Sequence, residues 1–205
     1  MAATQNKLMS EYVRCMGNEL GETYFHLQHK LIELHIVWLQ YRQLFAERST
    51  VELLNRTAGL FFKVVQDELW DSVLLRISKL TDPPSSAGRR NLTIQRLAPL
   101  IIDNDLQGEI DAMTKHVIAT ASFAREHRNK RIAHLDHSYS TMPETNPLTG
   151  VSRAQIENVL HLLRDLMNRL DARYRDSTYM YEQFVDETGA RLLLQKLHRA
   201  ELAAL

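Results

Sequence analysis

The feature that most limits what this chain can fold into is its shortage of helix breakers. No proline occurs between Met1 and Asp82, and the 5 prolines of the 205-residue sequence are Pro83, Pro84, Pro99, Pro143 and Pro147. Glycines number only 7. Proline removes a backbone donor and glycine adds backbone freedom, so long stretches without either favour continuous helix. Apolar residues recur through these stretches at mixed three- and four-residue spacing, the period of a helix with one buried face. Leu27, Leu31, Leu34, Trp38, Tyr41 and Phe45 predict a helix over about 8–46, with Gly17 and Gly21 as interruptions near its start. Leu54, Ala58, Phe61, Phe62, Val65, Leu69, Val73, Leu74, Ile77 and Leu80 predict a second over about 51–80. Ser49 and Glu52 have the spacing of a capping box at its start, and Pro83-Pro84 ends it.

A polar loop follows over 85–90, then a short helix over 92–102 limited by Pro99, then punctuation at Asp103-Asn104-Asp105. Ile110, Met113, Val117, Ile118 and Phe123 mark the buried face of a helix over about 105–131. Beyond a breaker-rich loop at 136–150, Ser152 and Gln155 form a second capping-box pair. Ile156, Val159, Leu160, Leu163, Leu166, Met167 and Leu170 line the helix it opens, which reaches about Tyr174. A last helix over about 190–202 follows Gly189, and no run alternates apolar and polar residues as a strand would. The reading is all-α: an antiparallel bundle of four to five long helices over 1–175, with 176–205 a C-terminal helical extension of the same domain. The stretch after Arg175, including Tyr179-Met180-Tyr181, has no role fixed by pattern.

Charge narrows the function classes. The chain holds 25 basic and 25 acidic residues and is formally neutral, so no global field draws it to nucleic acid or to an anionic membrane. Any such contact must come from a local patch. A single cysteine, Cys15, rules out an intramolecular disulfide and fits a reducing compartment. The first residues lack the apolar run of a signal peptide, and no uncharged run approaches the roughly 18–20 residues of a membrane span. The expectation is a cytoplasmic protein with no membrane partner.

The local patch is Arg125-Glu126-His127-Arg128-Asn129-Lys130-Arg131-Ile132-Ala133-His134-Leu135-Asp136-His137. Four basic residues face two carboxylates there, a net of +2, and three of the 9 histidines are present. Such a set suits phosphate chemistry. A neutral imidazole can take a proton from a ribose 2′-hydroxyl, and a guanidinium can hold phosphate oxygens as charge builds on phosphorus. A carboxamide such as that of Asn129 can donate to phosphate or hold a neighbouring side chain.

Arg128, a polar Asn129, and His134 after five intervening residues resemble the Arg-x4–6-His signature of the HEPN superfamily. Arg-Asn-Lys-Arg-Ile-Ala-His-Leu-Asp is similar to its abortive-infection U-type branch. So is the segment Trp70-Asp71-Ser72-Val73-Leu74-Leu75-Arg76-Ile77-Ser78-Lys79-Leu80-Thr81-Asp82, set before a proline-containing loop. The likeness covers roughly 51–170. It implies a HEPN-like helical bundle, and a ribonuclease that uses no metal or other cofactor and works as a homodimer with the two motifs facing across one cleft. Products would carry a 2′,3′-cyclic phosphate and a 5′-hydroxyl. On this likeness Arg128 stabilises the transition state, His134 is the acid or base, and Asn129 orients the site. Arg125, His127, Lys130, Arg131 and His137 are candidates for contact with RNA. RNA is then the substrate, and a cognate antitoxin or other protein is a further partner in phage defence.

Plainer readings apply to the same residues. His134 also suits a cap at a helix C-terminus, where positive charge is favoured, while Arg125, Lys130 and Arg131 suit a solvated basic face. His134 and His137 stand three apart but lack an accompanying Glu or Cys cluster, so no metal site is expected. His26, His29 and His35 lie among Tyr24, Phe25 and Leu27 and read as packing or surface residues. In an ideal helix Arg128 and His134 would stand about 120° apart around the axis, so a dimer cleft or a local break must bring them to one phosphate. A HEPN-like module that binds RNA, a nucleotide or a partner protein without catalysis is the alternative function. A purely structural helical partner is a third.

Overall fold

A computed structural model describes residues 2–132, 150–184 and 187–203, with residues 2–6 described in backbone only. Among these residues the regular structure is helical apart from one minimal hairpin. The helices are α1 (Ala2–Met16), α2 (Asn18–Phe45), α3 (Arg48–Thr81), α4 (Asn104–Thr120), α5 (Ser122–His127), α6 (Arg153–Arg175) and α7 (Ala190–Ala203). A five-residue π-helical turn, Arg128–Ile132, extends α5. The all-α fold expected from the periodicity is the fold observed. No helix among the described residues is long and apolar enough to cross a membrane.

The chain divides into two compact units. The first comprises Met1–Ile32 and Leu74–Met180. Its core is built around α6, whose Ile156, Val159, Leu160, Leu163, Leu166, Met167 and Leu170 are all buried. Their three- and four-residue spacing makes one continuous apolar face. α4 and α1 both pack against α6. Arg169 pairs with Glu109 (Nη2–Oε2 2.7 Å), and Arg173 with Asp103 (3.3 Å). The expected capping box opens α6: Ser152 Oγ accepts from Gln155 N (3.2 Å), and Gln155 Oε1 accepts from Ser152 N (2.8 Å).

Gly17 breaks the N-terminal helix at a positive φ of 84°, while Gly21 lies inside α2. There a Cβ would stand 2.6 Å from Val13 N and Cα, so the absence of a side chain lets α2 lie against the α1 backbone. A polar cluster is buried in the same unit. Arg175 donates to Asp171 (3.2 Å) and Glu11 (3.1 Å) and lies over the Tyr12 ring at 4.3 Å. Tyr12 in turn donates to Gln28 Oε1 (2.7 Å). Burial raises Asp171 above its ordinary value, against hydrogen bonds from Tyr24 and Arg175 that lower it. His29 Nδ1 lies 2.8 Å from Phe25 O, and the rings of Phe25 and His26 meet edge to face.

The second unit comprises Glu33–Val73 and Tyr181–Leu205. Trp38 stacks on Tyr41 at 5.3 Å between centroids, and Trp70 leans on both. The segment that pattern left unexplained is anchored here. Tyr181 is buried and stacks on His35 at 5.6 Å. The first turn of α7 donates from Ala190 N to Gln40 Oε1 (2.6 Å) and from Arg191 N to Gln43 Oε1 (3.1 Å), satisfying helix-end donors with side chains of α2.

Several boundaries differ from those expected. α3 begins at Arg48, placing Ser49 inside the helix, and Glu52 is engaged by Arg48 Nε at 2.8 Å. Ala58 departs from helical geometry (φ −159°, ψ 67°) within α3, so one apolar stripe does not run through it. Phe62 is buried, but Phe61, read as part of that stripe, is 62% exposed, and Leu60 and Val64 are exposed beside it. The short helix at 92–102 is two 3-10 turns, Ile94–Arg96 and Ala98–Leu100, with Pro99 in the first turn of the second. Proline fits a first turn but cannot donate within a continuing α-helix. The helix expected over 105–131 is interrupted at Ala121 and then widens into the π-turn. The 85–90 loop holds the hairpin, β1 (Ser85–Ser86) with β2 (Arg89–Arg90), closed by Ala87 and Gly88, both at positive φ. Two such residues in succession suit a tight hairpin turn.

Candidate active site

The site is assembled at the C-terminal end of α3, within the first unit. A helix end leaves its last carbonyls without helical donors. Here they are taken by side chains from later in the chain. Thr93 Oγ1 donates to Leu80 O (3.0 Å), and Gln95 Nε2 donates to Thr81 O (3.1 Å) and Asp82 O (2.9 Å). Arg125 Nη2 donates to Thr81 O at 2.6 Å. Pro83-Pro84 forces the chain out of the helix beyond that point.

The Asp82 side chain then gathers the basic segment. Both its oxygens accept from Arg128 Nη1, at 2.7 and 2.5 Å, and Arg125 Nε lies 3.9 Å away. A carboxylate at a helix C-terminus is unfavourably placed against the helix dipole, and the two guanidinium groups offset that. Arg125 and Arg128 are three residues apart, which puts them on one side of α5 and the turn that follows. Arg128 Nε donates to Asn129 Oδ1 (3.2 Å).

Beside this ion pair lies a cavity of about 550 Å³, lined by Leu75, Lys79, Asp82, Asn91, Leu92, Arg128 and Asn129. Asn91 donates to Pro83 O (2.8 Å) and Ser86 Oγ (3.0 Å), fixing the loop that forms one wall. Lys79 and Arg128 outweigh Asp82, so the lining carries a net positive charge suited to an anion.

The other residues singled out by pattern fall differently. Asn129 is exposed and shares the cavity with Arg128. Arg125 serves the end of α3, and Lys130 pairs with Glu126 at 3.0 Å. Arg131 is half-buried, and His127 is buried at 8% exposure. His134 and His137 lie outside the described residues, as does Asp136. The π-turn over Arg128–Ile132 departs from the ideal α-helix assumed for that stretch; such wide turns are common at functional sites. Motif reading passed over Asp82, Lys79 and Asn91 as site residues. The signal for the first two lay in the Trp70–Asp82 segment, whose last residue meets Arg128 across 46 positions of sequence.

An all-helical chain with an Arg-Asn pair at a helix end, set against a cationic cavity, has the features of a HEPN-type protein. The family model described as AbiU2, of that type, matches residues 17–191, most of the chain. The chain belongs to this family. No curated protein and no solved structure matches it.

Proposed function

We propose that this chain is an endoribonuclease of an abortive-infection or toxin–antitoxin system, cleaving RNA without a metal through Arg128 and His134. The observation that carries the reading is the placing of Arg128. The arginine of the family motif stands at a cationic cavity, with Lys79 as a second cation and Asn129 beside it. His134 takes the proton from a ribose 2′-hydroxyl, and the 2′-oxygen attacks phosphorus. Arg128 holds the charge that develops on the phosphoryl oxygens. The 5′-oxygen leaves with a proton drawn from water, and the 3′ end of the cut strand keeps a 2′,3′-cyclic phosphate. Two copies of the chain form the cleft, and a cognate antitoxin or partner protein restrains it. No cofactor enters this chemistry.

Asp82 favours one rival. Its carboxylate places negative charge against the arginine that would receive phosphate, which suits a module that binds RNA or a protein without cutting. Such a module gives salt-sensitive binding and no product. The two readings separate in an RNA cleavage assay in EDTA, wild type beside His134→Ala. The nuclease reading expects product from the wild type and at least about a 10²-fold loss in the variant, the lower range for an acid–base residue. Equal cleavage by both proteins refutes it.

A further inference from the structure

Asp82 holds Arg128 through one nitrogen of its guanidinium. We propose that Asp82 is a positioning residue, fixing the Arg128 guanidinium so that Nη2 is the donor offered to the scissile phosphodiester. The proposal rests on the ribonuclease reading.

Three features of the contact carry it. Both Asp82 oxygens converge on Nη1, rather than spreading over Nη1 and Nη2 as in a fork-to-fork pair. Nε is engaged by Asn129 Oδ1. Two of the three guanidinium nitrogens are therefore held, which sets the plane of the group. Nη2 is left without a partner among the described residues, on a side chain that lines the cavity. The third feature is that Asp82 is itself fixed. Its carbonyl accepts from Gln95, two prolines follow it, and its side chain is only 16% exposed.

A carboxylate that merely competed with RNA would do so best on the Nη1–Nη2 edge, the edge that binds two oxygens at once. Asp82 leaves half of that edge open. A purely structural role is also met elsewhere, because Arg125 ties α5 to the end of α3 through Thr81 O without Asp82.

The test is steady-state cleavage of an RNA oligonucleotide by the full chain, wild type, Asp82→Ala and Asp82→Asn. It is read together with the Arg128 Nε–H resonance, assigned by its loss in Arg128→Lys. Misplacing an orienting group by about 1 Å can cost about 10²-fold in rate. Asp82→Ala is expected to lose about that much in kcat, with KM changed by less than about threefold, since the loss falls on the transition state. Its Arg128 resonance is expected to broaden or shift. Asp82→Asn keeps one acceptor oxygen and is expected to fall between the two. Unchanged cleavage, or an unmoved resonance, in Asp82→Ala overturns the proposal. Faster cleavage overturns it too and makes Asp82 a competitor of the substrate. If the wild type gives no product, the ribonuclease reading is what has failed, and a moved resonance then leaves the ion pair as a structural contact only.

Discussion

A methyl group at position 21 would meet backbone, not a side chain that can turn aside. The Cβ of Gly21→Ala stands 2.6 Å from Val13 N and Cα, so two helices must separate to admit it. Overpacking of this kind costs about 1–3 kcal/mol. Gly108 is the control, because a Cβ there meets nothing within 4 Å and the residue sits inside α4. Gly108→Ala is expected to gain about 0.5–1 kcal/mol through helix propensity. Urea denaturation of both variants checks the pair, and a Gly21→Ala protein as stable as the wild type would contradict the close approach of α1 and α2.

Asp171 gives the residue scale a pH signature. Its ordinary value is 3.8, and burial raises it in the fold. Below 3.8 the carboxyl is protonated in both states and this group adds no pH dependence. As pH climbs above 3.8 the unfolded chain ionises first, so the contribution to stability declines until pH passes the raised folded value. Asp103 acts in the opposite sense: backbone N–H of Leu106 and the Arg173 side chain lower it, so its contribution is lost as pH falls. The comparison of Asp171→Asn with wild type isolates the first effect. The variant is expected to gain stability relative to wild type as pH rises through this window, read as the difference in Tm. A constant difference across pH would contradict the assigned shift.

At the scale of elements, the segments legible in the sequence are those whose signal is local. The α6 face and its Ser152–Gln155 cap were both readable because period and cap lie within a few residues of each other. Removing the cap in Ser152→Ala should cost about 1 kcal/mol, measured by thermal unfolding; no loss would mean the cap adds nothing to the stability of α6. Interruptions were less legible. Alanine is the best helix former, so neither the departure at Ala58 nor the break at Ala121 announces itself in composition. The apolar stripe read through Ala58 consequently does not separate buried Phe62 from exposed Phe61, both of which read as core or dimer interface. The widening at Arg128–Ile132 likewise has no marker in residue type, since a π-turn contains no proline or glycine here. Pro99 was a visible signal, but the two 3-10 turns around it depend on how Thr93 and Gln95 serve the end of α3.

At the scale of the whole molecule, the basic half of the site was legible and the acidic half was not. Arg128 and Asn129 stand in a recognisable motif, whereas Asp82 reaches them only through tertiary packing. Helical periodicity records which face is buried and is silent on which helix end it meets. The family match over 17–191 covers both halves. The activity we propose is RNA cleavage by attack of the 2′-oxygen. It is tested most directly by mass spectrometry of both fragments from one defined RNA oligonucleotide cut by the wild-type protein in EDTA. The expected products carry a 2′,3′-cyclic phosphate on the 5′ fragment and a 5′-hydroxyl on the 3′ fragment. A 3′-hydroxyl facing a 5′-phosphate would contradict it, because that pair of ends requires water, not the ribose, to be the nucleophile.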